Sequence, residues 1–334
     1  MRVAVVGCTG LVGETMLRVL EERRFPVEEL VPVASHRSAG RQVTFAGRSW
    51  PVQPLSESVF AGVQLALFSA GAAVSREFAP LAVRQGAFVV DNSSAWRMEP
   101  DVPLVVPEVN AGALDTLKEP AIIANPNCST IQLVVALNPL HRVFGLKRVV
   151  VATYQAVTGS GREAVQQLKD ELSLGRAPHP VYPHPIAMNC LPHIDQFLEN
   201  GYTREEMKII QESRKILGEP ELAITATAVR VPVLGGHSEA VNVQLVKPFD
   251  LNQVYRLLEE APGVQVVDEP TKNRYPMPIT AAKRDEVFVG RLRRDPSAEN
   301  ALNLWIVSDN LRKGAATNAV QIAEYLLQRG VLNR

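Results

Sequence analysis

The sequence has few cysteines, no excess of charge of either sign and no long apolar segment. Its three cysteines, Cys8, Cys128 and Cys190, are too few and too scattered for a disulfide framework or a zinc site with paired ligands, so no metal is expected. Thirty-five basic residues balance thirty-five acidic ones, which leaves no overall field to bind nucleic acid or a membrane surface. No apolar run approaches the length of about 18 residues that a membrane span needs. The sequence therefore predicts neither a nucleic-acid-binding protein nor a membrane protein.

Length and composition indicate a globular protein with two domains. The chain has 334 residues, more than one hydrophobic core usually supports. Hydrophobic residues make up 46% of it and charged residues 21%, as in ordinary soluble proteins. Its first residues run directly into a strand-like segment, without the basic region, apolar region or cleavage site of a signal peptide. We therefore expect a cytoplasmic protein.

Residues 1–127 alternate short apolar runs with amphipathic stretches, which is typical of βαβ units and a parallel sheet. The predicted strands cover residues 3–6, 30–34, 65–68, 88–91 and 121–124. Each ends at small or polar residues, as strands that face a ligand crevice tend to do. The fold class expected for this part is α/β, a Rossmann-like, doubly wound domain that binds NADP.

From residue 128 the pattern changes to longer, partly alternating strands interrupted by helices. The predicted strands cover residues 149–153, 222–229, 240–246, 287–292 and 301–307. Residues 128–310 are therefore expected to form an α+β catalytic and dimerisation domain with a mixed, largely antiparallel sheet. Residues 175–192 contain five prolines and should form a loop. Residues 311–334 contain a helix with one apolar face, which should return to the first domain.

The glycine-rich segment GCTGLVG, residues 7–13, lies between the first predicted strand and a helix predicted over residues 14–23. Glycines at such a turn let backbone N–H groups approach a pyrophosphate at the helix N-terminus. The spacing is a variant of the dinucleotide fingerprint, and a tight turn without a ligand is the alternative. The expected cofactor contacts are Thr9, Gly10, Leu11 and Val12.

The segment after the second predicted strand distinguishes between the two nicotinamide dinucleotides. An NAD site would have an acidic residue there, to accept hydrogen bonds from the ribose hydroxyls. This chain has SHRS at residues 35–38. An arginine and a hydroxyl suit a 2′-phosphate far better than a carboxylate would. NADP is therefore the expected cofactor, with Arg37 and Ser38 as the discriminating contacts.

Cys128 lies in the segment NPNCST, residues 125–130, after a predicted strand and before a helix that should start around residues 129–131. A helix N-terminus stabilises a thiolate, which is the attacking species. A lone cysteine is most often a buried small hydrophobic residue, and this interpretation is kept for Cys8 and Cys190. The polar, turn-forming neighbours of Cys128 instead indicate an exposed strand-to-helix corner. Cys128 is the predicted nucleophile.

Six ordered blocks of this sequence resemble the aspartate-semialdehyde dehydrogenase family from end to end. They are GCTGLVG (7–13), NSSAWR (92–97), NPNCST (125–130), YQAVTGSG (154–161), RVPV with HSE (230–233 and 237–239) and SDNLRKG (308–314). The resemblance implies NADPH-dependent reduction of aspartyl phosphate to aspartate semialdehyde through a thioester on Cys128, with release of inorganic phosphate. This reaction lies on the route to lysine, methionine and threonine. The resemblance also implies a homodimer or homotetramer, for which the sheet of the second domain is a plausible interface.

Thioester chemistry needs a group that exchanges protons near neutral pH, which histidine does best. His237 follows a pair of glycines, in a bend before a predicted strand, and the resemblance makes it the general acid and base. Gln155 follows a predicted strand and should orient the substrate near the thiol, because an amide can both donate and accept.

The implied substrate carries a phosphate, a carboxylate and an ammonium group, so its pocket should contain both cations and a carboxylate. The resemblance places Arg230 on the substrate carboxylate and Glu205 on the amine. It assigns the phosphate to Arg97, Lys208 and Asn127. Glu205 and Lys208 are three residues apart and share a helical face, which without the resemblance would be interpreted as a solvated turn.

Two further cofactor contacts are expected in the second domain. Thr158 and Gly159 precede a helix predicted over residues 162–174, whose N-terminus offers backbone donors to the cofactor. Asn310 is placed near the nicotinamide amide by resemblance alone.

Three alternatives were weighed against this interpretation. An N-acetyl-γ-glutamyl-phosphate reductase would have a Pro-Gly-Cys corner, whereas this chain has Pro-Asn-Cys. A glyceraldehyde-3-phosphate dehydrogenase would have an acidic residue where this chain has Ser35. A catalytically silent NADP-binding protein would lack catalytic side chains, but Cys128, His237, Gln155 and Arg230 are all present.

Overall fold

The computed structural model describes residues 1–332. Its strands are β1 (Arg2–Val6), β2 (Glu29–Ala34), β3 (Gln42–Phe45), β4 (Arg48–Pro51), β5 (Gln53–Pro54), β6 (Leu65–Phe68), β7 (Phe88–Asp91), β8 (Ile122–Ala124), β9 (Leu146–Gln155), β10 (Ala223–Arg230), β11 (His237–Leu245), β12 (Val264–Val266), β13 (Val287–Arg294) and β14 (Ala301–Ser308). All ten strands predicted from the sequence are present. The largest differences are at β9 and β11, each of which begins three residues earlier than predicted.

The helices alternate with these strands. They are α1 (Leu11–Glu22), α2 (Ala72–Arg84), α3 (Pro107–Asn110), α4 (Cys128–Phe144), α5 (Arg162–Leu174), α6 (Arg204–Leu217), α7 (Leu251–Glu259), α8 (Pro278–Ala281) and α9 (Thr317–Gln328). Within the described part of the chain, no helix combines the length and the apolar character that crossing a bilayer requires.

The described chain forms two compact units. The first contains Met1–Asn127 together with the chain from Ala315, and the second is Cys128–Gly314. The second unit ends at residue 314 and not at residue 310 as expected. The reason is that residues 311–314 are attached to the second unit, where the Arg312 guanidinium forms an ion pair with Asp285 at 2.7 Å.

A parallel sheet lies at the centre of the first unit, in the order β5-β2-β1-β6-β7-β8. Alternate side chains of β1 enter different cores because successive residues of a strand point to opposite faces. Val3 and Val5 pack with residues of α1 and α9, whereas Ala4 and Val6 pack with residues of α2. The sheet is therefore covered by helices on both sides, which confirms the predicted doubly wound α/β fold.

The sheet of the second unit has the order β10-β9-β11-β14-β13-β12. Its outer pairs, β10 with β9 and β12 with β13, are parallel, and its three inner pairs are antiparallel. This confirms the predicted mixed, largely antiparallel sheet. Odd-numbered residues of β11 from His237 to Leu245 are buried, and α4, which is buried nearly all round, packs against the same sheet.

The proline-rich residues 175–192 contain no helix and no regular strand, as predicted. Side chains of α5 anchor this loop. The Gln167 side-chain oxygen accepts from the backbone N–H groups of residues 181 and 182, at 2.6 and 3.0 Å. A carboxylate oxygen of Glu171 accepts from those of residues 186 and 187, both at 2.7 Å. Prolines prevent this loop from pairing as a strand. Side-chain oxygens of a helix therefore accept the hydrogen bonds of its backbone N–H groups.

Candidate active site

The turn between β1 and α1 requires glycine at two positions. Gly7 has φ +86°, and a Cβ there would collide with the carbonyl oxygen of Ser69. A Cβ at Gly13 would collide with the carbonyl oxygen of Gly7, so the first turn of α1 lies directly against the end of the strand. Helix α1 begins at Leu11, three residues earlier than predicted, and its N-cap Gly10 has no side chain to bond the first turn. The first-turn N–H groups, including those of Leu11 and Val12, are thereby left for a ligand.

The predicted 2′-phosphate contacts lie beside this turn. The N–H groups of Gly7 and Cys8 both donate to the carbonyl oxygen of Val33 in β2, at 2.8 and 3.2 Å. The chain leaving β2 forms a short 3-10 helix over His36–Ser38, in which Arg37 is exposed and Ser38 is half-buried. A flexible exposed guanidinium at this sheet edge can reach a phosphate group.

Arg97 and Asn127 lie at the other end of the same sheet. The Arg97 guanidinium is buried and donates through Nε to the carbonyl oxygen of Asn125 at 3.0 Å. Its Nη2 donates to the carbonyl oxygen of Asn92 at 2.9 Å. These two carbonyls follow β8 and β7, so Arg97 lies over the carboxyl ends of two parallel strands, where ligands bind in such folds. Asn127 is also buried.

Cys128 is the first residue of α4. The expected exposed corner is wrong, because Cys128 is half-buried and its neighbours Ser129 and Thr130 are fully buried. The corner is enclosed because α4 packs as a buried helix against the sheet of its unit. Among the other cysteines, Cys8 is buried as expected, but Cys190 is exposed because it lies in the proline-rich loop.

Gly314 lies against Cys128, the predicted nucleophile. The sequence predicted no role for Gly314, although it ends one of the six blocks. A Cβ at Gly314 would be 3.0 Å from the Cβ of Cys128 and 3.4 Å from its Cα. Gly314 lies in a π-helical turn, Arg312–Ala316, directly before α9. The missing side chain therefore leaves room beside the thiol.

His237 is the first residue of β11 and is fully buried, not part of the bend before the strand as expected. Its Nδ1 accepts from the backbone N–H of Ala156 at 3.0 Å, so in the neutral ring the proton is on Nε2. Nε2 is buried and has no hydrogen-bond partner within residues 1–332. Burial and the nearby Arg230 charge hold the pKa of His237 well below its usual value. His237 is therefore a neutral N–H donor at pH 7.

Arg230 ends β10 and is buried beside His237. Its Nη1 donates to the carbonyl oxygen of Ala156 at 2.7 Å, and its guanidinium carbon lies 5.9 Å from the centroid of the Tyr182 ring. Its Nε is buried without a partner in the described chain. A Cβ at Gly159 would be 2.9 Å from Arg230 Nη1 and 3.3 Å from His237 Nε2. Arg230 and His237 therefore both pack directly against Gly159.

Gln155 is the last residue of β9, and its side chain forms a hydrogen bond to a residue of α6. Its Nε2 donates to a carboxylate oxygen of Glu205 at 3.2 Å and to the Thr153 hydroxyl at 3.2 Å. The other oxygen of Glu205 is 3.3 Å from Lys208 Nζ. Glu205 is buried, so this face of α6 is not a solvated turn.

Asn310 is bonded to the turn that contains Thr158. Its side-chain oxygen accepts from the backbone N–H of Gly236 at 3.0 Å, and its Nδ2 donates to the Thr158 hydroxyl at 3.0 Å. Thr158 and Gly159 belong to the 3-10 helix Val157–Ser160 that precedes α5. The structure thus brings these three predicted cofactor contacts into the neighbourhood of His237.

The geometry agrees with comparisons to known proteins. Sequence models of two domains match: "Semialdehyde dehydrogenase, NAD binding domain" over residues 2–117 and "Semialdehyde dehydrogenase, dimerisation domain" over residues 137–313. An aspartate-semialdehyde dehydrogenase from Aquifex aeolicus is 53% identical over 339 residues, which cover 99% of each chain. The chain belongs to the aspartate-semialdehyde dehydrogenase family. The family predicted from the sequence is thereby confirmed.

Solved structures of aspartate-semialdehyde dehydrogenases have the same fold. The Vibrio cholerae enzyme II in complex with ASA aligns over 98% of both chains, with a TM-score of 0.94 and 46% identity. The Candida albicans enzyme, solved with NADP, aligns over 99% of both chains, with a TM-score of 0.77 and 26% identity.

Two acidic residues of the second unit were missed in the sequence analysis. Asp195 binds Lys208, with 2.7 Å between carboxylate oxygen and Nζ. Glu239 lies two residues after His237 on the buried face of β11, inside the HSE part of a block that marks aspartate-semialdehyde dehydrogenases. Neither side chain has a local signature that would have indicated a role. Residues 1–332 contain no group of three or more His, Cys, Asp or Glu side chains able to hold a metal.

Proposed function

We propose that the chain catalyses the NADPH-dependent reductive dephosphorylation of L-aspartyl 4-phosphate to L-aspartate 4-semialdehyde, with release of inorganic phosphate. The reaction would serve the synthesis of lysine, methionine, threonine and isoleucine, and of diaminopimelate. The observation that supports it best is the packing of both Arg230 and His237 against Gly159, in the unit that also contains Cys128 at a helix N-terminus. This arrangement combines a nucleophile, a proton donor and a cation for a carboxylate.

The first chemical step belongs to Cys128. Its thiolate attacks the acyl carbon, the C–O bond to phosphate breaks, and an aspartyl thioester remains. The position of Cys128 at the start of α4 favours a thiolate, because the N-terminal end of a helix carries a partial positive charge. The same first-turn N–H groups can stabilise the oxyanion that forms during attack.

Reduction of the thioester needs a hydride and a proton donor. NADPH, when bound, supplies the hydride to the thioester carbon, and collapse of the resulting tetrahedral centre releases the aldehyde and the thiolate. His237 holds its proton on Nε2, which lies near Gly159 and has no hydrogen-bond partner among the described residues. We assign to this N–H the hydrogen bond that stabilises the negative charge on the reacting oxygen, a role that the neutral ring can perform without giving up its proton.

Three charged side chains of the second unit are proposed to orient the substrate. The guanidinium of Arg230, with Nε still available, would bind the substrate carboxylate. The buried carboxylate of Glu205 would receive the ammonium group, and Gln155, bonded to Glu205 at 3.2 Å, would orient the acyl group near the thiol. Lys208 would bind the phosphate. Arg97 and Asn127 of the first unit are the other proposed phosphate ligands.

The turn between β1 and α1 fits a dinucleotide. Gly7 and Gly13 allow the close backbone packing that forms this turn, and the uncapped start of α1 offers N–H donors for the pyrophosphate, with Thr9, Gly10, Leu11 and Val12 as contacts. Arg37 and Ser38 would bind the 2′-phosphate of NADP, and Thr158, Gly159 and Asn310 the nicotinamide end. NADP in the relative from Candida albicans supports this choice.

We also propose that the chain forms at least a homodimer and is cytoplasmic. The dimerisation-domain match covers the unit with the mixed sheet. The face of that sheet away from α4 has partly exposed side chains at Ala152, Asn242 and Trp305, which suits an interface between two copies. Whether dimers pair into tetramers would be decided by the mass in solution, measured by light scattering.

The decisive experiment follows the nicotinamide absorbance during oxidation of aspartate semialdehyde by NADP+ in the presence of phosphate. Wild-type protein should turn over only with phosphate present. Cys128→Ala should abolish turnover, and mass spectrometry of wild-type protein should find an aspartyl adduct on Cys128. Undiminished activity of Cys128→Ala would overturn the covalent mechanism. Faster turnover of N-acetylglutamate semialdehyde would instead assign the protein to the reductases that act on the longer acyl phosphate.

A further inference from the structure

The proline-rich loop, residues 175–192, contacts Arg230 at both its backbone and its side chain. Leu191 exchanges two backbone hydrogen bonds with Arg230, one of 2.9 Å from Leu191 N and one of 2.8 Å from Arg230 N. Earlier in the loop, the Tyr182 ring lies beneath the Arg230 guanidinium, with 5.9 Å between the guanidinium carbon and the ring centroid. This distance is within the limit of about 6 Å for a cation–π contact. The loop therefore contacts the charged group that we propose to bind the substrate carboxylate.

Helix α5 fixes the position of Tyr182. The buried side chain of Gln167 accepts from the Tyr182 N–H at 3.0 Å and donates through Nε2 to Glu171 at 2.7 Å. The ring packs against a cluster of buried apolar side chains, which are Val157, Ala164, Leu168, Ile186 and Leu191. These contacts hold the ring independently of the Arg230 side chain. Tyr182 is therefore a fixed surface for the guanidinium.

The Tyr182 ring attracts Arg230 without occupying any of its N–H groups. A cation over the face of an aromatic ring is attracted by the π electrons, so no hydrogen bond is needed. Nη1 of Arg230 already donates to the carbonyl oxygen of Ala156 at 2.7 Å. Its Nε is buried and has no partner within residues 1–332. The guanidinium is thus held at two places while a donor remains for a carboxylate oxygen.

We propose that Tyr182 is a positioning residue for the substrate carboxylate: the face of its ring holds the Arg230 guanidinium in the orientation that binds this group. The inference rests on the proposed function, in which Arg230 is the carboxylate ligand. Tyr182 acts through Arg230 and does not touch the substrate. Its hydroxyl oxygen is buried without a hydrogen-bond partner in the described chain, so the ring and not the hydroxyl carries the effect. Loss of the ring should weaken substrate binding more than it slows the chemistry.

The test replaces Tyr182 with rings of nearly equal shape and different π-electron density. Tyr182→Phe is compared with phenylalanines that carry one, two or three ring fluorines at position 182, because fluorine withdraws electron density from the face of the ring. We expect Tyr182→Phe to keep the wild-type KM for aspartate semialdehyde. KM should then rise with each fluorine and reach about twofold to fivefold, as expected for a weak cation–π contact, with kcat nearly unchanged. Val181→Ala, which shortens an exposed side chain of the same loop, is the control.

Graded fluorination separates this role from packing in the apolar cluster. Packing depends on the shape of the ring, which fluorine changes little, so a KM that is independent of the number of fluorines would overturn the proposal. A rise in KM in Tyr182→Phe as large as that in Tyr182→Leu would also contradict it, because the hydroxyl would then be the group that matters.

Succinate semialdehyde tests whether the ring acts on Arg230 or directly on the substrate ammonium. This aldehyde retains the carboxylate and lacks the amino group, and its inhibition constant is measured in competition with aspartate semialdehyde. We expect this constant to rise across the fluorinated series in the same proportion as KM. A rise for aspartate semialdehyde alone would mean that the ring attracts the substrate ammonium, which would refute a role through Arg230. Absence of turnover of aspartate semialdehyde by the wild-type protein would be a different result, because it would refute the proposed function itself.

Discussion

The backbone N–H of Ala156 donates to Nδ1 of His237 at 3.0 Å, across 81 residues of sequence. This bond fixes the tautomer of a fully buried ring and directs its only proton to Nε2. Because Ala156 also binds Arg230 through its carbonyl oxygen at 2.7 Å, one residue positions both side chains. The segment after β9 thus fixes the orientation of the histidine that we propose to be catalytic.

The ring of His237 should remain neutral, with its proton on Nε2, at every pH where the enzyme is assayed. Burial and the Arg230 charge lower the pKa of His237 well below its usual value, so protonation is displaced to more acidic solution. Nitrogen-15 NMR of histidine-labelled protein, with His237→Asn to assign the signal, measures this directly. A ring that takes up a second proton between about pH 6 and about pH 7, the usual range of histidine, would contradict the expectation.

Gly159→Ala should impair substrate binding. The added Cβ would lie 2.9 Å from Arg230 Nη1, which must then move away from the carbonyl oxygen of Ala156. Loss of a hydrogen bond to a charged group corresponds to about tenfold to a hundredfold in an equilibrium constant. We therefore expect a rise of that size in KM for aspartate semialdehyde. Gly235→Ala is the control, because a Cβ there meets no atom within 4 Å; equal kinetics for the two variants would refute the argument.

Local sequence patterns were sufficient to locate the strands and the dinucleotide turn, because burial periodicity and glycine spacing are properties of neighbouring residues. Local patterns do not predict which residues from distant parts of the chain contact the predicted site residues. Gly314 lies beside Cys128 only because a π-helical turn returns to the start of α4. Asp195 reaches Lys208 from a loop whose left-handed backbone at that residue has no sequence signature. The enclosure of Cys128 likewise depends on packing of α4 on a distant sheet.

Glu239 lies at the polar end of the buried face of its sheet. In the strand register, Glu239 pairs with Thr153 and His237 pairs with Ser308, while the next buried residue of β11, Val241, begins the apolar part. Both carboxyl oxygens of Glu239 are buried, and no atom of residues 1–332 lies within ordinary hydrogen-bond distance as their partner. Burial raises the pKa of Glu239 well above its usual value, and a weaker interaction with Gln132 opposes this rise. Glu239 therefore keeps its proton to a higher pH in the folded protein than an ordinary glutamic acid does.

Glu239→Gln should stabilise the protein, and the gain should grow with pH. Above the ordinary glutamate pKa the unfolded chain loses this proton while the folded protein keeps it, so wild-type stability falls as pH rises towards the raised folded pKa. The expected slope is at most about 1.4 kcal/mol per pH unit, and the neutral glutamine abolishes it. Urea unfolding should be compared between about pH 7 and about pH 9, where His237, with its lowered pKa, is neutral in both states. A constant difference between the two proteins across this range would mean that Glu239 is ionised when folded.

Arg37→Ser should convert an NADP-preferring site into one that distinguishes the two dinucleotides poorly. Arg37 is exposed after β2, beside the turn that the structure offers to the pyrophosphate. A charge-assisted hydrogen bond to a phosphate is lost in the variant, which corresponds to a rise of about tenfold to a hundredfold in the Kd of NADP+. The Kd of NAD+ should change little because NAD+ has no 2′-phosphate. Both constants are measured by calorimetry.

Arg41→Ser provides the matched control for this prediction, because Arg41 is an exposed arginine four residues further along the chain. If the effect of Arg37 were only the general attraction of a basic surface, both variants would weaken NADP+ binding equally and the loss would disappear at high salt. A specific contact instead predicts that Arg37→Ser alone changes the ratio of the two dissociation constants. Parallel loss of NADP+ and NAD+ affinity in Arg37→Ser would remove Arg37 from the 2′-phosphate site, and Ser38 would then be its principal side-chain ligand.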